Sequence, residues 1–424
     1  MCKPYGIPTM EKVAVSQPTD TLQARCTVSL RHFRKALRVV STIYSREKDY
    51  LPPHLRTKNK CKKPLITLAL ECGVLEIRAA DEMTAVAAAV RCEDSSGNFV
   101  VTADKYDISS VLDRLHNYDY CILEPFIGFE NRQSLRFTIP DDDGGNIMQD
   151  STICADGEAI PTLPQVDGLE FDEIRFTREE ARLIANSSLY LLDVQESKGA
   201  LSGLFFNNLG DGVGQCVASN GEALNCVVFK GKFPPNPLYP HNIVRYDLVK
   251  LMKAATDDVV IRFTKRLVQL CTVVAGGVSV LAVSLDIEGT YPDYEKLIDK
   301  TLQKIIPRLP HNGEKKLEKK WERLRKVHPV LLRALFFRRK KDAVGLPVKK
   351  YGKSFFVYVA EKYLRKALAL QGKNRILDVY YKDELSGYAE YIEYITIYPQ
   401  ITEVDDCYVV SVIAPLRRDW IDLV

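Results

Sequence analysis

A chain of 424 residues with 46% apolar content is long and apolar enough for about three packed domains. It has no run of about 18 apolar residues, which excludes a transmembrane-helix reading, and Met1-Cys-Lys-Pro-Tyr-Gly-Ile-Pro8 lacks the apolar core of a signal peptide. The net charge of +4 conceals an asymmetry: 17 Lys or Arg against four acidic residues between Lys304 and Lys353 give a local +13, leaving −9 on the remainder.

Such a basic segment implies a polyanionic partner or a solvated basic helix. Residues 1–23 read as a short mobile arm. The eleven cysteines are scattered singly, without a Cys-x-x-Cys pair. Reduced, mostly buried thiols in a cytoplasmic protein are therefore expected, rather than a zinc site or a disulfide framework.

In chain order, 26–44 reads as a short strand and then a helix, with Leu30, Phe33, Leu37 and Val40 at helical spacing. A loop rich in Lys and Arg follows, then alternating strands near 65–70, 74–78 and 85–90. Residues 99–112 run from a strand into a helix, and 120–123 form the next strand. The acidic stretch Asp141-Asp-Asp-Gly-Gly145 lacks the spaced ligands of a calcium loop and reads as a polar hairpin turn. The pattern then restarts: a strand at 174–176, a helix to 189 opened by the capping-box spacing Thr177-Arg-Glu-Glu180, and strands near 201–206, 214–218 and 225–228. A strand-to-helix unit follows at 242–252, and strands near 259–263, 270–275 and 278–285 complete the second pass.

These are internal repeats. Tyr106, Tyr246 and Tyr363 each stand at the start of a helix that an apolar strand precedes, and another strand follows each helix (120–123, 259–263, 376–380). The implied fold is α+β, with three related modules at 24–170, 171–298 and 299–424, each carrying helices on antiparallel strands. The third is shortened. Its one candidate helix, near 316–327, lies only 47 residues before Tyr363, whereas Ser29 and Thr177 lie 77 and 69 residues before Tyr106 and Tyr246. A basic helical segment at 304–353 takes the place of the missing strands.

The residues offer no catalytic constellation. His32, His54, His116, His241, His311 and His328 are isolated, and Gly210-Asp-Gly-Val-Gly214 lacks the Lys-Ser/Thr of a phosphate loop and reads as a hairpin turn. Neither enzyme activity, a cofactor nor a metal is expected.

Four segments carry a resemblance: Leu201-Ser-Gly-Leu-Phe-Phe206, Ala218-Ser-Asn-Gly-Glu-Ala-Leu224, Gly289-Thr-Tyr-Pro-Asp-Tyr-Glu-Lys-Leu297 and Val412-Ile-Ala-Pro-Leu-Arg417. In this order and at about this spacing, they resemble the bacterial sliding clamp, the beta subunit of the replicative DNA polymerase III. The resemblance implies a non-enzymatic, ring-shaped homodimer that encircles double-stranded DNA as a processivity factor in DNA replication. It also implies docking of DNA polymerase and clamp-loader subunits through short Leu- and Phe-bearing peptides. The competing class is a clamp-fold regulatory or accessory protein that binds polymerase or DNA without encircling it.

Position by position, the resemblance implies a peptide groove at Leu201, Ser219, Gly221, Leu224, Pro292, Lys296, Leu297, Val412, Ile413, Pro415 and Leu416. DNA contacts are implied at Arg46, Lys48, Gln195 and Lys198, with Lys35, Arg38 and Arg182 on the first helices of two modules. The family's usual turn Thr-Asp-Gly-His-Arg-Leu is Ser219-Asn-Gly-Glu-Ala-Leu224 here, so a basic corner of the groove is acidic and small. Beyond Leu416 the tail ends in Trp420-Ile-Asp-Leu-Val424, similar to the peptides that clamps bind, and eight residues can span about 26–29 Å. A tail folded back onto the groove is one expectation; packing elsewhere is the other.

Overall fold

Leu30, Phe33, Leu37 and Val40 are all buried along one side of α1 (Leu30–Val40) in the computed structural model, which turns the helical spacing into a packing face. Phe33 lies 6.4 Å, centroid to centroid, from Phe137 of the underlying sheet. The structure describes residues 24–45, 63–128, 131–140, 146–155, 168–192, 196–210, 212–295, 339–340, 343–350, 353–370, 375–382, 391–399, 407–414 and 422–423. Two compact units result, one on 1–81, 87–162 and 276–278, the other on 82–86, 163–275 and 279–424. The predicted arm (1–23) and the helix near 316–327 lie outside the described residues. The segment expected to be helical at 304–353 is not helical where it is described: 339–340 and 343–350 are extended and pair as neighbouring strands.

The first pass comprises β1 (Arg25–Ser29), α1, β2 (Leu65–Glu71), β3 (Val74–Ala80), β4 (Thr84–Arg91), β5 (Asp94–Ser96), β6 (Phe99–Asp104), α2 (Lys105–Arg114), β7 (Tyr120–Ile127), β8 (Gln133–Pro140) and β9 (Asn146–Ile153). Its strands lie in the orders β5-β1-β7-β8-β9 and β6-β2-β3-β4. The expected polar turn at 141–145 lies outside the described residues, but β8 and β9 on either side of it pair antiparallel.

The second pass repeats the plan with β10 (Asp172–Phe176), α3 (Arg178–Ser188), β11 (Leu204–Gly210), β12 (Val213–Ser219), β13 (Ala223–Lys230), β14 (His241–Val244), α4 (Tyr246–Ala254), β15 (Val259–Phe263), β16 (Leu267–Val274) and β17 (Val278–Leu285). The orders β14-β11-β12-β13 and β10-β15-β16-β17 repeat β6-β2-β3-β4 and β1-β7-β8-β9 of the first pass, where β5 is an added edge strand without a counterpart among the described residues. Phe176, 5.0 Å from Phe229 and 6.3 Å from Phe206, centres the core between them.

The third pass is β18 (Arg339–Lys340), β19 (Ala343–Lys350), β20 (Lys353–Ala360), α5 (Glu361–Leu370), β21 (Arg375–Lys382), β22 (Tyr391–Pro399), β23 (Cys407–Ile413) and β24 (Asp422–Leu423). Among the described residues it lacks counterparts of β10, α3 and β13. The fold is α+β, built on antiparallel sheets with few helices, as the repeat implied.

Local chemistry accounts for the helix starts. Asp104 accepts the Tyr106 N–H at 2.9 Å to cap α2. Thr177 and Glu180 form the reciprocal box that opens α3, with Thr177 N–H donating to Glu180 at 2.7 Å and Glu180 N–H to Thr177 Oγ1 at 3.4 Å. The strand expected at 201–206 begins later, at Leu204. A 3-10 turn over 196–202 precedes it, closed by Ser202 Oγ donating to Gly199 O at 2.8 Å. Gly203 marks the junction because a Cβ there would stand 2.5 Å from Ile243 and 2.6 Å from Ile287. Nine described cysteines are free, five of them buried; burial pushes the Cys121 thiol up to about 12.

The second and third passes join edge to edge. β13 pairs antiparallel with β23 over seven register pairs, from Ala223↔Ile413 to Phe229↔Cys407. The tail takes a different course from the fold-back expectation. Asp422 and Leu423 add to the edge of β20 opposite Phe356 and Phe355. That place belongs to the repeat. In the second pass Ile287 N–H, just past β17, donates to Ile243 O of β14 at 3.2 Å, and in the first Ala155 N–H, just past β9, donates to Thr102 O of β6 at 2.7 Å. In every copy, the chain beyond the last strand runs along the strand that leads into the second helix.

Candidate binding groove

The alternation of β11, β12 and β13 sends Phe205, Val217, Leu224, Cys226 and Val228 to one face, where Val410 and Val412 of β23 extend the same apolar layer. Leu201, Ala200 and Ile287 pack on that layer while keeping part of their surface in solvent. Leu224 (5% exposed) and Val412 (4%) therefore form the floor, and Leu201 offers apolar surface above it.

One wall is the exit from β17. In Tyr291-Pro-Asp-Tyr294 the two tyrosines turn inward and Pro292 and Asp293 face solvent. Tyr291 stacks on Phe205 at 4.7 Å and 7° and donates its hydroxyl to Val217 O at 3.3 Å. Tyr294 stands edge-on to Phe205, donates to Gln215 Oε1 at 2.9 Å and accepts from Asn207 Nδ2 at 2.7 Å. Upstream, Asp286 accepts the Ile243 N–H at 2.7 Å; burial, only partly offset by the N–H groups of Ile243 and Ile287, pushes its carboxyl up to about 6. An extended segment is thus pinned at three points with Pro292 held outward.

The rim is the β12–β13 turn. Asn220 Oδ1 accepts from the N–H groups of Glu222 (3.0 Å) and Ala223 (2.9 Å), an Asx-type closure that fixes the turn. Ser219 Oγ donates to Ala223 O at 3.1 Å and accepts the Gly221 N–H at 3.2 Å. Gly221 sits at φ +87°, where a side chain would strain the backbone, and nothing lies within 4 Å of its would-be Cβ. Ile413 is 1% exposed and pairs with Ala223. The next residue, Ala414, donates its N–H to Glu222 O at 2.8 Å.

The structure thus brings Leu201, Ser219, Gly221, Leu224, Val412 and Ile413 around one apolar layer, with Pro292 exposed on the wall packed over it. Lys296, Leu297, Pro415 and Leu416 lie outside the described residues. One contact had no sequence signal. Tyr363 of α5 donates its hydroxyl to Glu222 Oε2 at 2.8 Å and accepts from Asn220 Nδ2 at 2.6 Å. Its ring lies 6.5 Å from that of Tyr190, whose own hydroxyl accepts from Asn225 Nδ2 at 2.7 Å.

Of the residues singled out for DNA, Arg38 is exposed on α1, while Lys35 of α1 and Arg182 of α3 are half-buried. Arg46, Lys48 and Gln195 lie outside the described residues, as does the side chain of Lys198, whose backbone belongs to the 3-10 turn. Arg34, also on α1, is engaged structurally by donating to Leu112 O at 2.7 Å. Among the described residues, no three His, Cys, Asp or Glu side chains converge as metal ligands, and no helix is long and apolar enough to cross a membrane.

No family model matches the sequence, and no curated protein matches it. Solved structures do. The chain is similar to the Caulobacter crescentus beta sliding clamp at TM-score 0.64 and 16% identity, over 93% of this chain and 99% of that one. It is similar to DNA polymerase III subunit beta from Borrelia burgdorferi at TM-score 0.63 and 11% identity, and to that of Thermotoga maritima at 0.59 and 15%, each over 93% of this chain and all of the other. The fold is that of the bacterial DNA polymerase III beta sliding clamps.

Proposed function

We propose that this chain is a sliding-clamp processivity factor that encircles double-stranded DNA as a homodimer and docks polymerase and clamp-loader subunits through the groove over β11–β13 and β23. The modules would be 24–170, 171–298 and 299–424, following an arm at 1–23. The observation that carries this reading is the repeat itself, three copies of one strand-and-helix plan, with consecutive copies 2 and 3 fused edge to edge through β13 and β23. Full clamp length supports it too, since the fold match extends over 99–100% of the clamps compared.

Ring closure requires an open edge for a second copy. Of the two outermost strands of β5-β1-β7-β8-β9, β9 stands where β17 and β23 stand in the other copies, and its Ile153 is 58% exposed; a closed dimer would cover it. DNA contact would fall to the basic side chains of the first helices, through sequence-independent electrostatics suited to sliding. Nothing in this reading calls for catalysis. Sedimentation at tens of micromolar tests it. A species of twice the chain mass is expected, and a particle that stays monomeric at every concentration would favour the non-encircling alternative.

A further inference from the structure

Resting on the groove reading, we infer that the groove selects a peptide carrying Lys or Arg beside its apolar anchors, with Glu222 as the specificity-determining residue. Glu222 stands on the rim turn with its side chain exposed. Its position is fixed from three directions, by the Asn220 closure, by Ala414 N–H on its carbonyl at 2.8 Å and by the Tyr363 hydroxyl on Oε2 at 2.8 Å. Holding the carboxylate in place in the free protein removes part of the ordering cost of pairing with a ligand cation.

The wall formed by the exit from β17 has the same sign. Glu288, Asp293 and Glu295 are exposed there, beside half-buried Asp286. The one described cation at the rim is Lys362, whose ammonium lies 4.4 Å from the centroid of the Tyr363 ring. Among the described side chains of the rim turn and the wall, five carboxylates (Glu222, Asp286, Glu288, Asp293 and Glu295) stand with one lysine (Lys362). An apolar floor with an acidic rim complements apolar anchors with a basic flank, and it repels an acidic flank.

The test uses the full-length protein and two fluorescent peptides with the same Gln-Leu-Ser-Leu-Phe anchors, one extended by two lysines and the other by two glutamates. The lysine peptide should bind roughly fivefold tighter at low salt, as expected for exposed charge pairs, with the difference shrinking as salt rises. Glu222→Gln should erase most of that preference, and Glu222→Arg should invert it. Tyr363→Phe, which keeps the ring but releases the carboxylate, should reduce it. Equal affinities for both peptides, each abolished by Leu201→Asp, would overturn the charge selection and leave the groove reading standing. Failure of both peptides to bind would overturn the groove reading and the selection together. A preference for the lysine peptide unchanged in Glu222→Gln would overturn the assignment to Glu222.

Discussion

Tyr363 and Glu222 stand 141 residues apart in the chain and 2.8 Å apart in the fold, hydroxyl to carboxylate. The contact holds the only described helix of the third copy against a turn of the second, at the rim of the candidate groove.

Truncating this tyrosine should loosen the join. Tyr363 is 5% exposed, so Tyr363→Ala removes a buried aromatic and should cost about 3–5 kcal/mol. Tyr363→Phe loses only the hydroxyl's hydrogen bonds, about 1 kcal/mol. Urea unfolding read by midpoint and slope measures both. Equal losses in the two variants would mean that the ring contributes nothing.

Asp286 makes stability depend on pH. Its carboxyl is raised to about 6 in the folded protein from an ordinary 3.8, so the native state binds the proton more tightly than the unfolded chain. Between those values stability falls as pH rises, and the cost is complete above about pH 6. Asp286→Asn keeps an acceptor for the Ile243 N–H and removes the charge. It should stabilise the protein by about 1–2 kcal/mol at pH 7.5 and flatten the slope between pH 4 and 6. Thermal melts across that range give the answer; an unchanged slope rejects the assignment.

The tail should be neutral towards the groove. Because Asp422 and Leu423 lie along β20, deleting residues 419–424 should leave the affinity for a groove peptide unchanged while opening a strand edge that promotes self-association. Tighter peptide binding by the truncated chain, measured by fluorescence anisotropy, would restore the fold-back expectation.

How far the sequence carried can be judged from particular residues. The repeat was legible because strand and helix periods recur around Tyr106, Tyr246 and Tyr363, and those periods report burial directly. The capping box at Thr177 was legible because its chemistry is local to four residues. The start of β11 was not, since Gly203 is dictated by the close approach of Ile243 and Ile287, two residues remote in sequence. The rim contact escaped for the same reason: a Tyr recurring at helix starts says nothing of the carboxylate it will meet. Leu224 and Val412 were legible as residues of one apolar face but not as buried within it, because alternation gives a face without its depth. Of the two expectations for the tail, similarity to a ligand suggested the fold-back, whereas the repeat, which places a strand beside β20, accounts for the packing elsewhere.

The helical charges should read out as salt dependence. Converting Lys35, Arg38 and Arg182 to Gln should lower the slope of log affinity against log salt on duplex DNA by up to about 0.9 for each phosphate that is no longer neutralised. An unchanged slope in the triple variant would assign these side chains to solvent.

Encirclement is the central claim, and topology tests it without reference to any one residue. The protein is assembled on nicked circular plasmid at low ionic strength, washed at high salt, and the DNA is then cut once with a restriction enzyme. A ring should survive the wash on the circle and be released by the cut, because only an end lets it slide off. Equal loss from circular and linear DNA during the wash would contradict encirclement and leave a clamp-fold protein that binds from one side.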